Sequence, residues 1–140
     1  MPRFEAERTL LAPLDDVWSF LAEPYNLADW WPGVAGVEPD RRGLAPGARW
    51  RVVRPDEPGL VRRPLAAATL VVLEVDPPER LAFQLVEDRI DAGITLGALD
   101  ESRTRARLVV SGPWLVGLRR SLPRRALARL HALLQTAADD

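Results

Sequence analysis

Two residue types are missing from this chain of 140 residues: it has no cysteine, and all 19 of its basic residues are arginine, so lysine is missing too. Without cysteine there is no disulfide, no thiolate metal site and no cysteine nucleophile, and nothing marks an oxidising compartment. Without lysine, a side-chain Schiff base is excluded. Histidine occurs once, at position 131, so a metal site built on histidines has too few ligands. No run approaches the roughly 18 apolar residues of a membrane span. The opening MPRFEAERTL is charged and lacks the apolar stretch of a signal peptide. A net charge of −1 exerts no general pull on nucleic acid or anionic lipid. These absences lead us to expect a cytoplasmic protein folded as one domain over residues 1–140, monomer or homodimer. They give no sign of a cofactor, a nucleic-acid partner or stable membrane insertion.

Periodicity supplies what is there. Residues 3–11 alternate, with Phe4, Ala6, Arg8 and Leu10 on one face, and read as a strand. Pro13 suits the first turn of a helix, Asp15 and Asp16 oppose its dipole, and Leu14, Val17, Trp18 and Leu21 share its apolar face. Pro24 ends that helix. YNLADWW predicts a second short one, with Asn26 as N-cap and Pro32-Gly33 as stop. Strands are predicted at 36–43 (weakly), 48–54, 66–76, 80–87, 89–98 and 103–112, with short links that call for an antiparallel sheet. Residues 55–65 hold three prolines and a glycine and read as a loop. From Trp114 to Ala138 the period changes to that of an amphipathic helix, which Pro123 should kink or split. The order is strand, two short helices, about six strands and one long helix. That helix is the one element large enough to cover the apolar face of the sheet.

The stretch TLLAPLDDVWSFLAEPYNLADWWPGV resembles the opening of the START-like, or SRPBCC, superfamily of polyketide cyclases/dehydrases and lipid-transport proteins. The resemblance rests on Ala12, Pro13, Asp15, Asp16, Val17 and Trp18, then on Trp30, Trp31, Pro32 and Gly33. LEVDPPERLAF at 73–83 is similar to the family's mid-chain hairpin. The resemblance implies an α+β helix-grip fold: a seven-stranded antiparallel sheet curled around a long C-terminal helix, with two short helices after the first strand. It also implies an apolar cavity between sheet and helix for a hydrophobic or aromatic ligand. It carries no catalytic signature onto these residues.

The candidate ligand-binding residues follow from parity. Trp30 and Trp31 are adjacent, so on a helix they point about 100° apart. One is expected to anchor the second helix and the other to sit at the cavity rim. Trp18, Trp50, Phe83, Ile94, Leu96, Leu108 and Leu127 belong to the apolar wall, either lining space or filling it. Arg8 falls on an apolar face, which calls either for a salt bridge or for a ligand carboxylate. His131 lies at the edge of the Leu127–Leu130–Leu134 stripe, as a bystander or a general base. Tyr25 is either a hinge residue or a hydroxyl near the mouth. Arg103, Arg105 and Arg107 form an outward stripe, and with no interleaved aromatic residues it does not read as a nucleic-acid surface. Ser19, Ser102, Ser111 and Ser121 have no histidine–acid partners in pattern. Three readings stay open: a non-catalytic binder of a small lipid- or polyketide-like molecule, an aromatase/cyclase-like enzyme using Tyr25, Arg8 or His131, and a stress-related protein whose core is filled by its own side chains.

Overall fold

A computed structural model describes residues 2–54, 67–113 and 120–139 of the chain. Strand β1 (Arg3–Leu10) is followed by helix α1 (Leu14–Ala22), a 3-10 turn (Pro24–Asn26) and helix α2 (Leu27–Trp30). Six strands come next: β2 (Gly36–Glu38), β3 (Arg49–Val53), β4 (Ala67–Asp76), β5 (Arg80–Leu85), β6 (Ile90–Ala98) and β7 (Thr104–Ser111). Helix α3 (Leu122–Asp139) closes the order. The strands form one seven-stranded antiparallel sheet in the order β1-β7-β6-β5-β4-β3-β2. One face takes the helices and the other carries most of the charge, which is the helix-grip arrangement.

Alternation places the core. In β6, Ile90, Ala92, Ile94 and Leu96 are buried, and in β7 Thr104, Ala106, Leu108 and Val110. Ala126, Leu127, Leu130 and Leu134 of α3 are buried with them. The apolar run of β4 has no alternation to read, and there the chain inserts a bulge: Val72 pairs with Phe83 and Glu74 with Ala82. Leu73 is left over and 49% exposed. The bulge reverses the parity of the strand beyond it, which keeps Val75 on the covered face opposite Leu81.

Several local expectations change. Pro13 stands just before α1 with an extended backbone, and its carbonyl accepts the N–H of Val17 at 3.0 Å. Asn26 precedes α2 with helical backbone and makes no side-chain cap bond; its Nδ2–H donates to the carbonyl of Phe20 at 2.9 Å. That bond ties the turn back onto α1. The weak strand at 36–43 is three residues long, and Asp40–Gly43 is a turn whose Asp40 side chain accepts the N–H groups of Arg42 and Arg49, both at 2.9 Å. Pro123 is the second residue of α3, and the shorter helical piece expected before it falls on residues 114–119, outside the described residues. The proline lies in the first turn, where its missing N–H leaves no bond unmade. The loop expected at 55–65 also lies outside the described residues.

Candidate functional site

A small apolar cavity lies under the α1–α2 segment, over the β3–β5 side of the sheet. Leu21, Pro24, Leu27 and Trp30 come from the helical segment, and Trp50, Leu70, Val72, Leu81 and Phe83 from the strands. Its volume is about 10 Å³. That is close to the minimum for one water molecule, and an apolar space of this kind stays dry. A drug-sized ligand occupies roughly 300 Å³ or more.

The walls are held from behind. The indole Nε1–H of Trp50 donates to the carbonyl of Gly43 at 2.7 Å. The ring therefore turns its polar edge to the β2–β3 loop and its carbon face to the cavity. The Asp40 carboxylate orders the same loop, and the N–H groups it accepts hold its pKa below the usual carboxylate range. Trp30 meets Trp31 edge-on, with ring centroids 5.5 Å apart, and Trp31 meets Phe83 in the same way at 5.1 Å. Both tryptophans are 1% exposed. The expectation of one anchor and one rim residue fails, for a structural reason. Trp31 is already outside α2, with φ −89° and ψ 120°. Its ring is enclosed between Trp30 and Phe83, so neither indole is left at a rim.

Of the residues singled out from sequence, Trp30, Trp50 and Phe83 line the cavity. Ile94, Leu96, Leu108 and Leu127 are fully packed core and do not line it. Trp18 is half-buried on α1, outside the lining. Tyr25 is 62% exposed on the 3-10 turn, with its backbone N–H on the Glu23 carboxylate at 3.4 Å. Sequence reasoning missed Leu21, Leu27, Leu70, Val72 and Leu81 as lining. Each was legible as apolar, but which apolar residues border a void depends on how several elements meet.

Arg8 and His131 lie elsewhere, where β1 meets α3. Arg8 keeps its inward parity yet is exposed, and among the described residues it makes no salt bridge, so the partner expected for it is not found there. Burial, and then the charge of Arg8, push the His131 pKa below the ordinary histidine range. The Nδ1 atom of His131 is buried with no hydrogen-bond partner. On the outer face, Arg107 bonds Glu5 at 2.6 Å and Arg103 bonds Asp100 at 2.7 Å, so two of the three stripe arginines are paired. Among the described residues no cluster of three or more potential metal ligands occurs, and no helix is long and apolar enough to cross a membrane.

A family model described as polyketide cyclase / dehydrase and lipid transport matches residues 1–135. No curated protein matches the chain. Among solved structures, protein NE0264 of Nitrosomonas europaea is similar at a TM-score of 0.72 and 22% identity, over 96% of this chain and 95% of that one. The di-domain ARO/CYC BexL is similar at a TM-score of 0.71 and 18% identity, over all of this chain and 48% of BexL. A norcoclaurine synthase point mutant of Thalictrum flavum, solved with a transition-state analogue, is similar at 0.65 and 16% identity, over 98% and 96% of the two chains. At these identities the likeness is one of fold.

Proposed function

The chain belongs to the polyketide cyclase/dehydrase and lipid-transport family, and on that premise we propose that it is a non-catalytic binding module for a small apolar or aromatic molecule in the cytoplasm. The observation that carries this reading is the chemistry of the cavity wall. All nine lining side chains are hydrocarbon or indole, and none is titratable. Such a wall selects a ligand by shape and apolar area and offers no group for acid–base work. An aromatase/cyclase-like reading needs Tyr25, Arg8 and His131 to converge on the cavity, and none of the three is in its lining.

The volume sets how binding would proceed. A space of about 10 Å³ admits a ligand only if part of the wall moves. The Pro24–Trp30 segment is the part suited to moving: it is a 3-10 turn and a single helical turn, tied to α1 by the Asn26–Phe20 hydrogen bond. The same volume favours a second reading, in which this core is filled by its own side chains and binds nothing.

Titration with N-phenyl-1-naphthylamine, a neutral apolar fluorophore, separates the two. Saturable binding that raises the melting temperature, and that Val72→Phe abolishes by filling the space, supports the binding module. Fluorescence that never saturates, with an unchanged melting temperature, refutes it and leaves the filled core.

A further inference from the structure

Two contacts fix how the first strand and the last helix run beside each other. The Arg120 guanidinium lies 5.9 Å from the centre of the Phe4 ring, and Gln135 Nε2–H donates to the carbonyl of Leu11 at 3.1 Å. From Phe4 to Leu11 is about 23 Å along an extended chain, and from Leu122 to Gln135 is about 20 Å along α3, with Arg120 in the turn just before it. The two elements are therefore parallel and in step. Equal division of those lengths sets Arg8 against the turn of α3 between Leu127 and His131.

Arg8 has the inward parity of Ala6 and Leu10 but reaches solvent, and it has no salt-bridge partner among the described residues. Residues 113–138 contain five arginines and no acid, and the one acid of α3, Asp139, lies about two turns beyond His131 at the helix end. Glu5 and Glu7 project from the opposite face of β1, and Glu5 is bonded to Arg107. The covered residues of β7 beside α3 carry no charge, and Asp29 of α2 is exposed to solvent. The His131 Nδ1 is buried and unpartnered. The neutral ring with its proton on Nε2 leaves a bare lone pair at that buried position, the cheaper of the two tautomers. The Nε2–H is then free to donate. The Arg8 charge acts on His131, and no carboxylate pairs with either side chain among the described residues.

We propose that the seam between β1 and α3 is a binding site for a small oxyanion, a carboxylate or a phosphate, held by the Arg8 guanidinium and the Nε2–H of His131. The site is distinct from the apolar cavity. It sits at the β1 margin of the sheet, whereas the cavity lies over β3, β4 and β5. It does not depend on the function proposed above.

His131 is the one histidine of the chain, so its ring resonances can be followed alone by NMR as the pH is varied. The titration is run in sodium chloride, sodium acetate and sodium phosphate at equal ionic strength. Chloride screens Arg8 and raises the histidine pKa slightly. A seated oxyanion adds an opposite charge within contact distance and raises it by about one further unit, saturating with concentration. Arg8→Gln removes the saturable part, while Arg105→Gln, an equal change of charge on the outer face, leaves it intact. Saturation with acetate alone, with phosphate alone or with both tells which oxyanion the site takes. Equal shifts in all three salts, or a saturable shift that survives Arg8→Gln, overturn the proposal. Were Arg8→Gln to unfold, the three-salt comparison on the unaltered protein would still decide it.

Discussion

The two margins of the sheet are built on opposite terms. Toward the β2 edge, over β3–β5, Trp30, Trp31 and Phe83 meet edge to face, and Trp50 adds its carbon face to the wall with its polar edge turned away and satisfied. At the β1 margin, an arginine, a histidine and a glutamine stand where the strand meets the helix, and one ring nitrogen is left without a partner. The first margin is specified by packing, where every methylene counts. The second is specified by charge, which tolerates substitution but responds to pH and salt. One sheet thus offers an apolar margin and an ionic one, and each answers to a different kind of perturbation.

The largest test of that contrast is stability. Trp30→Ala and Trp31→Ala should each cost about 3–5 kcal/mol in urea unfolding, whereas Arg8→Gln should stay within about 0.5 kcal/mol. A loss under about 1 kcal/mol at either tryptophan would break the comparison, since they are the two largest fully buried side chains among the described residues. The Phe variants sharpen it: equal burial predicts that Trp30→Phe and Trp31→Phe lose equal stability. Next comes Trp50→Phe, which keeps the carbon wall but leaves the Gly43 carbonyl without its donor. About 1–2 kcal/mol is expected, read by the same unfolding curves. Arg120→Ala at the ionic margin removes one exposed cation–π contact with Phe4, for about 0.5–1 kcal/mol.

The smallest effect is the most discriminating, because His131 and Asp40 titrate in different windows. The folded pKa of His131 lies below its unfolded value of about 6.5. Between those values the unfolded chain binds more protons, so stability falls as pH drops below about 6.5 and levels off beneath the folded value. His131→Gln should flatten that part of the melting-temperature profile. Asp40, on the loop behind Trp50, is depressed by the N–H groups it accepts. Its contribution is complete above about 3.9 and disappears as pH falls through the lower folded value. Asp40→Asn should remove its share of the acid limb, to which Glu5, Glu87 and Asp100 also contribute, and leave the His131 limb in place. A single shared limb would mean that the margins are not independent.

Much of the architecture was legible because alternation is a strong signal where one face is covered. Trp50 and Val52 in β3, and Ile94 and Leu96 in β6, sit on the face their parity assigns. The β4 bulge was not legible, since an unbroken apolar run looks the same in either register until Phe83 and Ala82 choose partners. The site was read in part. Trp30, Trp50 and Phe83 announced themselves by size, while Leu21, Leu27 and Leu70 became lining residues through packing between distant elements. Trp31 was misjudged because its burial comes from packing against Phe83, a residue 52 positions away, which no local pattern shows. Arg8 kept its parity, but its lack of a salt-bridge partner is a fact about the helix opposite, and no local pattern in β1 carries it.

The pairing of β1 with β7 sets a timetable. Arg3 lies opposite Ser111, and the Glu5–Arg107 bond joins residues 102 apart. The first strand made is therefore one of the last to be partnered. During synthesis RFEAERTL must wait as an unpaired strand until more than one hundred further residues have emerged. Such long-range closure is slow and leaves intermediates open to the wrong partner. The charges that alternate along this strand, at Arg3, Glu5, Glu7 and Arg8, make it a poor template for a second copy of itself while it waits.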